Sequence, residues 1–452
     1  MKRFDWRWLV ISSVLVASVM AETRPQYGGT LRVVMREAPA SLDPADSAQP
    51  DSFARRNLTM LMLDTLVEIN ESGRVQPSLA TSWQANGNQA WQFRLRRGVR
   101  FHDGTPLTAE TAAASLRAAN PSWNVSAEGD AVVIDPGVSD PELLAKLALP
   151  RNAIVKRDSP NTLSGTGPFR IVEWQPGKKL TLAAEENGWR GRAFLDGIEI
   201  EMGKSYRDQM MSLDLGKADL VEVAPEQAHR ASLDGRRLAS SSPVELLVLV
   251  FTRDPASPEE ESLREALALS IERTSMRSVL LQGAGQPAGG ALPAWMSGYG
   301  FVFPVDADLA KARHDREQVR AVPTWTLGYD GSDAVARLLA ERIALNAKDA
   351  GLSLQPTSGA AADLRLMQIP LSPDPWIALA EVAGLARSAL RRSGGSVEDL
   401  YATERSLLST QKLIPLFHLP TSYASSSVLK NWAVRADGNW NLADAWLGSR
   451  QP

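Results

Sequence analysis

Residues 91–119, WQFRLRRGVRFHDGTPLTAETAAASLRAA, narrow the possible folds more than any other stretch of this chain. Trp91, Phe93 and Leu95 alternate with Gln92, Arg94 and Arg96, the period-two pattern of a strand with one face buried. His102-Asp103-Gly104-Thr105-Pro106 carries turn chemistry: glycine tolerates positive φ and proline fixes φ. Thr108 is placed to cap a helix running through Ala113, Leu116 and Arg117. A strand, a tight turn and a helix in quick succession point to a mixed α/β chain.

The chain has 452 residues, 44% hydrophobic and 22% charged, which leaves room for two or more globular domains. Lys2, Arg3 and Arg7 precede an apolar run from Leu9 to Val19, and Val19-Met20-Ala21 offers small residues for cleavage. This pattern predicts a secretory signal peptide over 1–21. That segment carries a net charge of +2 against −3 for the whole chain, leaving −5, which argues against a nucleic-acid partner. There is no cysteine. Disulfides, thiolate metal sites, a cysteine nucleophile and a lipid-modified cysteine at the cleavage site are all excluded, and an exported chain of this length is expected to rely on core burial. A free periplasmic protein is the expectation.

Thr30 to Met35 reads as the first strand, and Phe53 to Glu68 as a helix. Asn86-Gly87-Asn88 reads as a hairpin turn. Residues 119–163 are rich in Pro, Asn and Ser, with one helical segment at 141–149. Glu245 to Phe251, ELLVLVF, is a short apolar run suited to a strand buried on both faces. Ser257, Pro258 and Glu260 form a capping signal for a helix to about Leu281, and Ser332 to Ala350 is a second helix stopped by Gly351. Leu413–Phe417 and Ser422–Val428 read as strands. This alternation predicts two α/β lobes.

Several stretches resemble the extracellular solute-binding proteins of family 5, the oligopeptide-, dipeptide- and nickel-binding proteins of ABC importers. They are YGGTLRVVMREAPASLDPADS (27–47), PSLATSW (77–83), the 91–119 line, SGTGPFRIVEWQPGKKLTL (164–182), NGWRGRAFLDGIEIEM (187–202), LREALALSIERTSM (263–276), GQPAGGALPAWMSGYG (285–300) and LIPLFHLPTSYASSSVLKNW (413–432). The resemblance implies an α/β, two-lobed periplasmic binding protein of type II, peptide-binding-like. Lobe I would comprise 22–248 and 424–452, and lobe II 249–423. Crossing strands near 246–252 and 419–426 would form the hinge. It further implies a peptide or other small polar solute held between the lobes, delivery to an ABC permease, a monomer, no cofactor and no catalysis.

The chain departs from the family pattern where peptides are read. Anchored on Asp374-Pro375, the position of a tryptophan falls on Gln368, and that of the aspartate pairing a peptide α-amino group falls on Leu371. A buried ammonium without a partner is costly. The strand that would bond a peptide backbone maps to Ala48, Gln49 and Pro50, and Pro50 has no N–H to give. Residues 119–163, 303–325 and 381–400 are short for the family. The expected cleft set is Ala48, Gln49, Pro50, Met367, Gln368, Ile369, Leu371, Asp374, Trp376 and Trp295. The alternative is a binding-fold protein turned to a sensor, chaperone or scaffold role. His102, His229, His314 and His418 lack metal-ligand spacing; His102 reads as a turn residue and His418 as a packing residue near the hinge. Glu259-Glu260-Glu261 reads as charge favoured at a helix N-terminus. No GxSxG, Walker A, HExxH or GxGxxG motif supports an enzyme.

Overall fold

The computed structural model describes residues 24–70, 73–87, 89–159, 162–359, 361–390, 392 and 394–449. The expected signal peptide over 1–21 lies outside the described residues. An 11-stranded sheet organises the chain. Its centre is two long antiparallel strands, Arg237–Phe251 and Leu413–Ser425. Outward from Leu413–Ser425 lie Leu220–Glu222, Thr30–Val34, Gly197–Glu201, Lys179–Ala184 and Phe169–Gln175. Outward from Arg237–Phe251 lie Leu364–Pro370, Thr324–Gly328 and Ser353–Thr357, and the eleventh strand, Gln286–Pro287, pairs with Leu413–Ser425 off this path. Parallel pairing centres on one strand on each side: Thr30–Val34 pairs in parallel with both its neighbours, and Thr324–Gly328 with both of its own.

The run ELLVLVF is apolar throughout because each face meets its own core. Leu246, Val248 and Val250 pack with Leu292, Leu379, Val382 and Leu400. Leu247, Leu249 and Phe251 pack with Leu263, Leu267, Trp325 and Ile343. Full burial of such side chains stabilises by about 1.5–3 kcal/mol each. A separate core joins Leu31, Val33, Leu58, Phe169, Ile198 and Leu220 to Tyr423, Leu429 and Leu442 from the C-terminal end. The chain therefore builds one lobe, crosses to a second, and returns to the first.

The crossing is irregular. The pairing of the two long strands slips between Ser240 and Pro243, between Pro243 and Glu245, and between Leu247 and Val248, with Pro243 facing Pro420. Neither proline can donate to the ladder, and bulged pairing bends and twists a strand. Two of these three slips fall before the 246–252 stretch expected from sequence and one within it.

Trp91–Ala119 folds as read. Ala90–Leu95 is a strand, and Thr108 caps the helix Ala109–Ala119 in a capping box with Thr111. Gly165 and Gly167 cross so close to the chain at Met62 that a Cβ on Gly165 would lie 2.0 Å from the Met62 carbonyl oxygen. Other expectations shift. The first helix is Phe53–Met62, capped by Ser52, and stops well before Glu68 because the chain turns into the strand Val67–Ile69. The helix from Pro258 ends at Ser270, and Arg273–Val279 is a separate helix. Residues 119–163 hold a hairpin, Asn124–Glu128 with Ala131–Asp135, that extends the Ala90–Leu95 sheet. Its Val132 and Ile134 complete that sheet's core.

Candidate functional site

A cavity of about 990 Å³ lies between the lobes. It sits at the carboxyl ends of the parallel strands of both. Thr30–Val34 leads to Arg36 and Glu37, Leu220–Glu222 ends on Glu222, and Thr324–Gly328 leads to Asp330 and Asp333, all of which line the cavity. Strand ends of this kind hold ligands in α/β sheets because the following loops diverge and leave a crevice. The floor comes from the crossing strands through Glu245, Leu419, Pro420 and Tyr423.

The cavity wall carries carboxylates close to one another. Glu222 accepts from the Arg36 backbone N–H at 2.5 Å and from Gln209 Nε2 at 3.1 Å. Burial nevertheless pushes its carboxyl up to about 7, with Glu37 adding a like charge. Glu245 accepts from Gln368 Nε2 at 2.8 Å and is also pushed up to about 7, by burial first and then by Glu37 and Glu222. Glu37 is open to cleft water, yet the surrounding protein raises its carboxyl too. Burial raises the Tyr206 hydroxyl, which stays neutral beneath the Arg36 guanidinium, 5.5 Å from the ring centroid. Arg36 is itself committed across the cleft, to Asp330 at 3.2 Å and Asp333 at 3.3 Å. These like charges in one confined wall favour a cationic group between them.

The expected cleft set divides. Gln49, Pro50 and Gln368 line the cavity. Strand alternation explains the next pair: Leu366, Gln368 and Pro370 face the cavity, while Met367 and Ile369 pack in the core of Leu379 and Val382. Leu371 is 2% exposed in that core. Asp374 caps the helix Pro375–Leu385, accepting from the backbone of Trp376 and Ile377. Trp376 lies under Arg392, whose guanidinium is 4.2 Å from the ring centroid. Trp295 donates to the Pro243 carbonyl at 2.7 Å. Ala48 sits in a turn fixed by Asp46, and no strand forms at 48–50, where Pro50 breaks the ladder and Ser52 starts a helix instead. Sequence reasoning passed over Arg36, Glu37, Tyr206, Glu222, Glu245, Asp330 and Asp333. One signal was present: Glu245 is the lone charge at the head of the apolar run 245–251.

The histidines stay out of the cleft. His102 Nε2 lies 3.0 Å from the Gly167 carbonyl. His418, buried and held down to about 4, lies 3.1 Å from the Ala291 carbonyl.

Residues 74–369 match the family profile of the bacterial extracellular solute-binding proteins, family 5 middle region. The nickel-binding protein NikA of Staphylococcus aureus is 26% identical over 243 residues, covering 50% of this chain and 49% of the relative. The oligopeptide-binding protein AppA of Bacillus subtilis is 22% identical, covering 66% of this chain and 59% of AppA. The alignments thus span about half to under two thirds of the curated relatives' length. The structure of AppA with a nonapeptide superposes with a TM-score of 0.78 at 17% identity, covering 94% of this chain and 100% of that one. The lobes, the crossing strands and the profile agree, and the chain belongs to the extracellular solute-binding proteins of family 5.

Proposed function

We propose that this protein is the binding component of an ABC importer, working as a soluble monomer in the periplasm and presenting a small amine-bearing solute to a membrane permease. The observation that carries this reading is the cavity between the lobes, walled by the carboxylates of Glu37, Glu222 and Glu245 and floored by the crossing strands. Its volume of about 990 Å³ is at the upper end of that for a drug-sized ligand. Leu371 offers no charge to a peptide amine, and Glu37, Glu222 and Glu245 take over that task on the facing wall and the floor. Lobe boundaries near 248 and 424 belong to the same proposal, supported by Leu246 and Leu419 packing in the second lobe's cores while Tyr423 and Leu442 pack in the first lobe's. The role is binding and release without bond chemistry.

Thermal shift against dipeptides, tripeptides, cationic amino acids, polyamines, sugars and nickel chelates tests the reading. A solute at a hundredfold excess over its Kd stabilises by about 2.7 kcal/mol. Amine-bearing solutes of small size are expected to raise Tm, and their N-acetylated forms are not. No shift across the whole panel overturns the proposal.

A further inference from the structure

Charged contacts join the two lobes beside the cavity, where its lining ends. Arg56, on the helix Phe53–Met62, is only 6% exposed. Two of its nitrogens bind Asp51, at 3.0 and 2.7 Å, and its Nη1 donates across the cleft to the Leu371 carbonyl at 3.1 Å. Arg151 reaches across to Glu381 at 2.6 Å, and the second oxygen of Glu381 accepts from Ser372 Oγ at 2.7 Å. Glu142 pairs with Arg392, whose guanidinium rests on Trp376. Leu371 and Ser372 are therefore a catch: their side chains belong to lobe II, and their polar atoms are tied directly or through Glu381 to lobe I.

We propose that Arg56, Arg151 and the Glu142–Arg392 pair form a built-in clasp that holds the lobes closed before any ligand arrives. The inference rests on the reading of this chain as a two-lobed solute binder. In such a protein a ligand bridges the lobes. Here the bridging at one end of the cleft comes from the chain itself, at the segment where the family pattern places the amine-pairing aspartate and this sequence has Leu371. Each exposed pair alone is weak. Together they act as linked contacts, since the first to form sets a high effective concentration for the others. A resting closed state removes the conformational cost that a ligand otherwise meets. It also makes closure sensitive to salt, because Arg151, Glu381 and Arg392 are partly exposed.

The absence of cysteine makes the test direct. Glu110→Cys and Lys348→Cys place one spin label on an exposed helix position in each lobe. The full chain is refolded from guanidinium to strip any co-purified solute, and the inter-label distance is measured by pulsed EPR with no ligand added. The clasp predicts one short distance at low salt. Arg151→Gln with Arg392→Gln, or roughly 1 M sodium chloride, where the Debye length is about 3 Å, is expected to lengthen it by more than about 2 Å, the scale of a domain rearrangement. The swapped pair Arg151→Glu with Glu381→Arg, in otherwise unchanged protein, is expected to keep the short distance and so separates charge pairing from misfolding. A long distance in unchanged protein at low salt overturns the clasp, as does a short one that neither salt nor the double variant lengthens. A failed solute panel with the expected distances removes the importer reading and leaves the clasp standing.

Discussion

At the scale of single residues, the cavity's chemistry turns on carboxylates that are reluctant to ionise. Glu222 and Glu245 are pushed up to about 7 from the ordinary 4.5 by burial. A cationic solute prefers the ionised forms, so its affinity is expected to rise as pH goes from 6 to 8, with protons released on binding. Calorimetry in buffers of different ionisation enthalpy reads that release directly. Glu222→Gln with Glu245→Gln is expected to weaken binding by about tenfold or more, as loss of charged hydrogen-bond partners does, and to flatten the pH profile. An unchanged profile removes these residues from the site. The same groups set a stability trend without ligand. Glu404, fully buried and accepting from the Ala291 and Leu292 backbone and from Tyr299, is likewise pushed up to about 7 by burial. A carboxyl with a raised folded pKa holds a proton that the unfolded chain has released, so its stabilising contribution is present below pH 4.5 and is lost as pH rises through 7. His418, lowered from 6.5 to about 4, works in the opposite sense, and only below 6.5. Tm of the ligand-free protein is therefore expected to fall from pH 6.5 to 7.5. Glu404→Ala, which strands buried donors, is expected to cost about 3 kcal/mol in urea unfolding, and Glu404→Gln clearly less.

At the scale of elements, local chemistry was readable wherever a feature is carried by neighbours in sequence. The Thr108 cap, the Pro258 start and the two-faced run 245–251 are short-range patterns, and they fold as read. The extent of helices was less readable. The helix breaks at Ile271, whose backbone is extended at φ −81° and ψ 115°, and Arg273 just beyond it is buried and donates to the Pro415 carbonyl at 3.0 Å, a contact that no local pattern encodes. The cleft was least readable. Glu37, Glu222 and Glu245 meet only because Thr30–Val34 and Leu220–Glu222 are paired and Leu413–Ser425 spaces them from Arg237–Phe251. No local spacing encodes that neighbourhood. Gln368 was legible only through the family pattern anchored on Asp374-Pro375; the same reading also put Met367 and Ile369 in the cleft, which strand alternation sends to the core instead. Two substitutions separate local from tertiary control. Thr108→Ala removes one cap and is expected to cost about 1 kcal/mol. Gly165→Ala drives a methyl into the Met62 carbonyl, where only backbone movement relieves the clash. Its expected cost, well above the cap's and on the order of the 1–3 kcal/mol of overpacking or more, is read by the same urea titration.

At the scale of the whole molecule, the lobes do not own separate sheets. Leu413–Ser425 pairs with Leu220–Glu222 of the first lobe through Tyr423, Ala424 and Ser425, and with Arg237–Phe251 along most of its length. Arg237–Phe251 in turn carries Leu364–Pro370 of the second lobe. Unfolding lobe II alone would strip the inner strands of one partner each and expose both faces of 246–251. The interactions within lobe II already offset its conformational entropy, leaving a small net stability, so the additional apolar surface exposed at 246–251 disfavours unfolding it alone, and the two lobes are expected to unfold together despite the bend at Pro243 and Pro420. Tryptophans report both: Trp174, Trp432 and Trp440 pack on the first core, and Trp325 is buried in the second. In urea, tryptophan fluorescence and far-ultraviolet circular dichroism are expected to give one coincident transition. Leu249→Ala, in the second core, is expected to move that whole transition by about 2–5 kcal/mol. A variant in which Trp295, Trp325 and Trp376 are all replaced by Phe leaves only the first lobe's probes, and it should show the same displacement on adding Leu249→Ala. If those probes hold their midpoint while the circular dichroism splits in two, the crossing strands do not couple the lobes and each half keeps its sheet alone.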